Sequence, residues 1–121
     1  MSDPGNSPAQ ILAERLRLGA GFTTGDSDHV LELLAPLGRH LTRWSPEDVD
    51  LELTVKNRGG PEQKVTLEAW LPGWPSLVAT AIDRDLDHAL VDVRKDMIRQ
   101  IDDQKTKHEP RKGRGTREKT A

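Results

Sequence analysis

The clearest pattern in the chain is a strict alternation of apolar and polar residues. Valine or leucine occupies every second position from Val49 to Val55, which predicts a strand with one buried and one exposed face. A second alternating segment runs from Val65 to Leu71, after the sequence Asn-Arg-Gly-Gly-Pro at 57–61. Such a sequence is typical of a turn, so the two segments predict a β-hairpin.

Two shorter segments complete the predicted sheet. Apolar residues alternate from Leu77 to Ala81, which predicts a third strand in a meander with the hairpin. Within residues 12–22, Leu16 and Leu18 alternate with arginines, and this predicts a further strand at the start of the fold.

Two segments show the three-to-four spacing of an amphipathic helix. The first runs from His29 to about Trp44, and Pro36 within it predicts a kink or a break because proline lacks a backbone donor. The second begins near Asp83, a good helix cap, and Pro110 marks its end. Its predicted buried face comprises Leu86, Ala89, Leu90, Val93, Met97 and Ile101.

The element order β-α-β-β-β-α predicts an α+β fold, a four-stranded sheet with two helices packed on one face. A helix separates the first two strands, so we expect them to be parallel with a right-handed crossover. We expect residues 12–108 to form this domain, 1–11 a disordered leader and 109–121 a basic flexible tail.

Charge is unevenly distributed along the chain. The net charge is −2, yet the segment from Lys105 to Ala121 holds seven Lys/Arg and two Glu. A basic end on an acidic body is typical of proteins that contact a polyanion. The alternative is a solvated, disordered end without a binding role.

The composition excludes several classes of protein. The chain of 121 residues has no cysteine, hence no disulfide and no thiolate zinc site, and we expect a reducing, cytoplasmic location. No apolar run approaches a membrane span. The first residues lack the basic and apolar segments of a signal peptide.

No motif predicts catalysis, a metal or a cofactor. The four histidines are far apart in the sequence, and histidines with aspartates alone are an unusual zinc-ligand set. The aspartates at positions 83–92 are explained by the favourable field at a helix start. We therefore expect no enzyme activity, no catalytic residue, no cofactor and no small-molecule substrate.

Three tryptophans offer surfaces for base stacking. Trp74 lies between Gly73 and Pro75 in a predicted turn, and we expect it to be the most exposed. Core packing is the favoured interpretation for Trp44.

Four segments together resemble the bacterial hibernation-promoting factor and ribosome-associated inhibitor family. They are Leu-Gly-Arg-His-Leu-Thr-Arg-Trp at 37–44, Ala-Thr-Ala-Ile-Asp-Arg-Asp-Leu-Asp-His-Ala at 79–89, Met-Ile-Arg-Gln-Ile at 97–101, and the basic run at 105–114. They resemble, in turn, the family's first helix, its last strand-to-helix junction, the interior of its last helix and its basic run. We expect no second domain of the kind with which long family members dimerise ribosomes.

The resemblance implies a function based on binding rather than on catalysis. Members of this family bind the small ribosomal subunit, occupy the tRNA and mRNA channel near the decoding centre and silence translation when growth stops in stationary phase or under stress. The partners implied here are that subunit and its rRNA. The alternative is a domain of the same fold that has diverged into a protein–protein interaction module and binds its partner through its acidic surface.

Cations would carry the implied rRNA binding through salt-dependent contacts with phosphates. We expect lysines and arginines on folded elements to contribute more to rRNA binding than those in the tail, because ordering a flexible segment costs about 1–2 kcal/mol per residue. The predicted RNA-binding residues are Arg39, Arg43, Lys56, Arg58, Lys64, Arg94, Lys95, Arg99, Lys105, Lys107, Arg111, Lys112 and Arg114.

Overall fold

The structure is a computed structural model that describes residues 8–108, with side chains described for 10–107. A four-stranded sheet combines with three helices. In chain order the elements are α1 (Pro8–Arg15), β1 (Leu16–Leu18), α2 (Ser27–Gly38), β2 (Asp50–Lys56), β3 (Gln63–Trp70), β4 (Leu77–Asp83) and α3 (Leu86–His108), with single 3-10 turns at Thr24–Asp26 and Pro46–Asp48.

The strands lie side by side in the order β1-β2-β3-β4. β1 is parallel to β2, and the remaining pairs are antiparallel. The hairpin turn between β2 and β3 uses left-handed backbone at Asn57 (φ 60°) and Gly59 (φ 88°), which glycine and asparagine tolerate best. The predicted α+β class, the hairpin and the parallel first pair are confirmed.

One face of the sheet forms the core. Leu53 lies opposite Leu18 on one side and Leu67 on the other, and Leu67 lies opposite Ala79. Helix α3 packs over β4 and β3, while α2 packs against α3. The predicted face of α3 is confirmed, since its members are buried except for the half-buried Leu86.

Helix α1 corrects the predicted disordered leader over residues 8–11 and the predicted strand over residues 12–15, while residues 1–7 lie outside the described part of the chain. Ile11 and Leu12 are buried in the core, and α1 packs against α2. Adjacent apolar residues cannot share one face of a strand, whereas they fit the stripe of a helix. The alternating pattern of leucine and arginine forms a strand only over the three residues of β1.

The helix boundaries also differ from the predictions. Helix α2 continues through Pro36 but ends at Gly38 rather than near Trp44. Turn hydrogen bonds follow, including Leu41 N to Gly38 O at 3.0 Å, and they return Leu41 to the core. The helical spacing of buried apolar residues therefore continues to Leu41, beyond the end of α2 at Gly38.

Helix α3 begins at Leu86, three residues after the predicted start near Asp83, because strand β4 extends to Asp83. Asp83 instead accepts a hydrogen bond from Asp85 N at 2.9 Å. Asp85 in turn accepts from His88 N at 3.2 Å, so Asp85 provides the cap. No helix within residues 8–108 combines the length and apolar character needed to cross a membrane.

Replacing Ile11 with alanine tests whether this part of the chain belongs to the fold. Because Ile11 is fully buried, we expect the free energy of unfolding to fall by about 2–5 kcal/mol. The matched control on the exposed side of α1 is Glu14→Ala, for which we expect a change within about 0.5 kcal/mol. Chemical denaturation measures both free energies of unfolding. An Ile11→Ala variant as stable as the parent would show that residues 8–11 do not belong to the folded domain.

Candidate nucleic-acid interface

The predicted cations do not form one patch. They divide between the hairpin end of the sheet, the end of α2 and the length of α3, and some of them bind other parts of the protein. Arg111, Lys112 and Arg114 lie outside the described residues.

Lys56 and Lys64 form a pair at the hairpin end. They are direct partners across β2 and β3, and both side chains are exposed on the outer face of the sheet. Neither forms an ion pair within the part of the chain that the structure describes. Like charges directly opposite each other are unfavourable, so an anion bound between these lysines would relieve their repulsion.

Arg58 has a structural role instead. Its guanidinium binds both carboxylate oxygens of Asp26, at 2.8 and 2.9 Å, and donates to Gly21 O at 2.9 Å. It also lies over the ring of Phe22, 5.5 Å from the centroid. The hydrogen bond from Arg58 is the main reason that the pKa of Asp26 is well below its usual range. Arg58 therefore holds the hairpin turn against the start of α2.

A second group of cations lies where α2 ends. Arg39 and Arg43 are exposed, and the Arg43 guanidinium lies 5.3 Å from the ring centroid of Trp44. His40 contacts Asp102 of α3 at 3.2 Å. Lys105 follows one turn later on the same side of α3, so the end of α2 and the last turns of α3 present cations at the same end of the domain.

The cations within α3 have different surroundings. Arg94 is half-buried and donates to Leu33 O of α2 at 2.9 Å, and its buried Nε has no hydrogen-bond partner among the described residues. Arg99 pairs with Asp96 one turn earlier. Lys95 and Lys107 are exposed. Arg94 therefore ties two helices together, while Lys95 faces solvent.

Trp74 is partly buried rather than exposed as predicted, and Trp44 and Trp70 are partly buried as well. Trp44 and Trp74 meet edge to face with their centroids 4.9 Å apart, and both are partly buried against the core. The turn at Gly73 (φ 78°) folds the Trp74 ring back toward the domain, a tertiary contact that local turn chemistry does not reveal. The favoured packing role of Trp44 is confirmed.

Three groups that metals bind come together at the start of α3. Asp83, His88 and Asp92 have ligand atoms near one another. Asp83 contacts His88 Nδ1 at 2.5 Å, while Asp92 lies 3.9 Å from His88 Nε2. The two ring nitrogens point in different directions, so His88 bridges two carboxylates, and this explains the cluster without a metal.

Histidine–aspartate pairs also connect the helices. His29 of α2 contacts Asp87 of α3 at 2.9 Å, and this hydrogen bond raises the pKa of His29 above its ordinary 6.5. The pKa of His88 is raised in the same way by Asp83. A raised pKa stabilises the fold below the unfolded value of 6.5, and that contribution is lost as the pH rises through the folded pKa.

Several solved structures resemble this fold, while no family model and no curated protein sequence matches the chain. The N-terminal domain of Protein Y from Thermus thermophilus superimposes with a TM-score of 0.53 at 20% identity, over 71% of this chain and 91% of that one. A ribosomal subunit interface protein from Coxiella burnetii gives a TM-score of 0.49 at 15% identity, over 76% of this chain and 98% of that one. The chain has the fold of the Thermus Protein Y domain.

The fold shared with the Thermus domain is the fold that the resemblance of the four sequence segments implied. The separation of structural from solvent-facing arginines was not predictable from sequence. The pairing of Lys56 with Lys64 was not predicted either, because a turn at 57–61 would place Lys56 opposite residue 62, whereas the observed register places it opposite Lys64. The partners of Arg58 and Arg94 lie 32 and 61 residues away, and no local signal marks them.

The His29–Asp87 pair predicts a pH-dependent stability. We compare the parent with His29→Gln, Asp87→Asn and the double variant, each by thermal unfolding over a range of pH. The coupling between the two residues should be strongest at acidic pH and weaken as the pH rises through the raised pKa of His29, because the ion pair is then replaced by a neutral hydrogen bond. A coupling that persists unchanged at alkaline pH would contradict this assignment.

Proposed function

We propose that the protein binds the small ribosomal subunit near the decoding centre, blocks the access of tRNA and mRNA, and thereby inhibits translation while preserving idle ribosomes under stress. The observation that carries this proposal is the fold, which is that of the hibernation-promoting factor family. The sequence segments at 37–44, 79–89 and 97–101 support it further.

Such a function requires a rigid surface of cations rather than reacting groups. The folded elements supply lysines that neutralise phosphates without first breaking an internal ion pair in the described residues, namely Lys56, Lys64, Lys95, Lys105 and Lys107. Binding would release counterions from the RNA. RNA helices are recognised mainly through their shape and backbone, so specific base contacts are not required.

Of the predicted arginines, we assign Arg39 and Arg43 to the interface, because both are exposed where α2 ends. Arg99 is also exposed and contributes once its contact with Asp96 is exchanged for a phosphate. Arg58 and Arg94 are better explained by their internal hydrogen bonds. The role of the tail residues Arg111, Lys112 and Arg114 stays a prediction.

The first test is the salt dependence of binding to purified small subunits, measured by co-sedimentation. We expect the logarithm of the affinity to fall linearly with the logarithm of the salt concentration, by somewhat under one unit for each phosphate neutralised. A slope of several units is therefore expected. An affinity that is independent of salt would contradict the proposed phosphate contacts.

The second test reverses charges on the exposed side of α3. We expect Lys95→Glu combined with Arg99→Glu to weaken ribosome binding roughly tenfold or more, because repulsion replaces attraction at each phosphate. Translation inhibition in a cell-free assay should fall with it, whereas deletion of residues 111–121 should weaken binding less.

The matched control is Arg84→Glu, which reverses an exposed cation outside the predicted set. Arg94 is left unchanged, because a carboxylate facing Leu33 O would disturb the helix pair. Thermal unfolding confirms that each variant is folded. Ribosome binding that survives both the α3 reversals and the tail deletion would exclude these two segments from the interface, whereas a parent protein that does not bind ribosomes would refute the proposed function.

A second candidate function is a protein-interaction module. The observation that favours it is the exposure of two large apolar side chains on the outer sheet face, Val78 at 45% and Ile82 at 62%. Salt-independent binding to a protein, together with the absence of ribosome association, would support this candidate instead.

A further inference from the structure

Two histidine–aspartate pairs join α2 to α3, one near each end of the helix pair. His29 Nε2 contacts Asp87 Oδ1 at 2.9 Å, in the first turns of both helices. His40 Nδ1 contacts Asp102 Oδ1 at 3.2 Å, just after the end of α2. At a rise of about 1.5 Å per residue, the two aspartates lie roughly 20 Å apart along α3. The two pairs therefore have separate surroundings.

The His40 pair lies among cations assigned to the RNA-binding surface. The charged side chains near His40, on its own segment and on the facing side of α3, are Arg39, Arg43, Arg99, Asp102 and Lys105. Helix α1 also packs against α2, but its charged groups bind elsewhere, Arg15 to Val49 O and Glu14 to Gln10. The carboxylate of the pair therefore lies among cations, where a phosphate would approach.

The contact with Asp102 determines which nitrogen of the His40 ring can gain a proton. A carboxylate only accepts hydrogen bonds, so Nδ1 of the neutral ring carries the proton and Nε2 has a lone pair. Nε2 forms no hydrogen bond within residues 10–107. Protonation of the ring turns Nε2 into a donor. The side chain of His40 is 28% exposed, so the ring is partly accessible from solvent.

We propose that His40 couples RNA binding at this end of the domain to the uptake of one proton. With the ring neutral, a phosphate meets the charge of Asp102 and the lone pair of Nε2. With the ring protonated, the imidazolium neutralises Asp102, and Nε2–H donates to a phosphate oxygen. RNA binding therefore strengthens as the pH falls. This inference rests on the proposed function and adds a regulation of the same surface.

His29 provides a contrast within the same helix pair. Its contact with Asp87 lies farther from the His40 pair than the ~8 Å over which exposed charges interact at physiological ionic strength. None of the cations assigned to the interface lies in the first turn of α2 or of α3. Protonation of His29 therefore stabilises the helix pair without changing the affinity for RNA.

Co-sedimentation of the full chain with purified small subunits, at constant ionic strength and over about pH 6–8, tests the coupling, because imidazole ordinarily titrates in this range. We expect the parent to bind roughly tenfold more tightly at the acidic end, since one proton changes the affinity by at most about tenfold per pH unit. His40→Gln should bind with an affinity that hardly depends on pH. His40→Lys, which stays charged throughout, should keep tight binding at the alkaline end.

The matched control is His29→Gln, which removes the histidine of the other pair and should leave the pH dependence of binding unchanged. Asp102→Asn should bind more tightly than the parent at the alkaline end, because the carboxylate that opposes a phosphate is gone. Its affinity should also vary less with pH. Thermal unfolding at each pH shows that every variant is folded under the conditions of the binding assay.

The outcomes separate this inference from the proposed function. A parent that binds small subunits with the same affinity at every pH would overturn the inference and leave ribosome binding intact. A pH dependence that survives in His40→Gln but vanishes in His108→Gln would also overturn it. The side chain of His108 lies outside the described residues. A parent that binds no small subunits at any pH would refute the proposed function, and this inference with it.

Discussion

The whole arrangement depends on the burial of one sheet face beneath α3. Leu53, Leu67 and Ala79 form a continuous apolar row across β2, β3 and β4, and Val93 and Met97 of α3 are buried in the same core. Removing this apolar surface from water is the dominant stabilising term in a small domain. It fixes which side of each strand faces solvent, and hence which charges remain available.

The helices are then held in place by a small number of polar contacts. Arg94 reaches Leu33 O, and His29 and His40 reach aspartates of α3. Arg58 similarly fastens the hairpin to the start of α2. These contacts remove two arginines from the surface that a polyanion would meet, so a count of cations overstates the binding capacity of the chain.

Two regions of the outer sheet face remain open, and they suit different partners. The paired lysines at the hairpin end offer charge without an internal partner in the described residues. The exposed side chains of Val78 and Ile82 on β4 offer apolar surface. The first suits phosphate and the second suits a protein partner, because one is electrostatic and the other relies on the burial of apolar surface.

The sequence alone determined the fold class, the hairpin and the buried face of α3, because strand and helix periodicities are local consequences of burying one face. The register within the hairpin, and with it the pairing of Lys56 and Lys64, was decided by the tertiary structure. The four segments also indicated the fold that the chain shares with the Thermus domain.

Tertiary structure alone decided the remainder. Residues 8–15 form a helix because α2 offers Ile11 and Leu12 a place in the core, whereas their local sequence predicted a leader and the start of a strand. Trp74 is partly buried because Trp44 lies beside it. Whether an arginine binds inward or faces solvent depends on partners far away in the sequence, as Arg58 and Arg94 show. Periodicity carries no information about such partners, because it reports only which face of an element is buried.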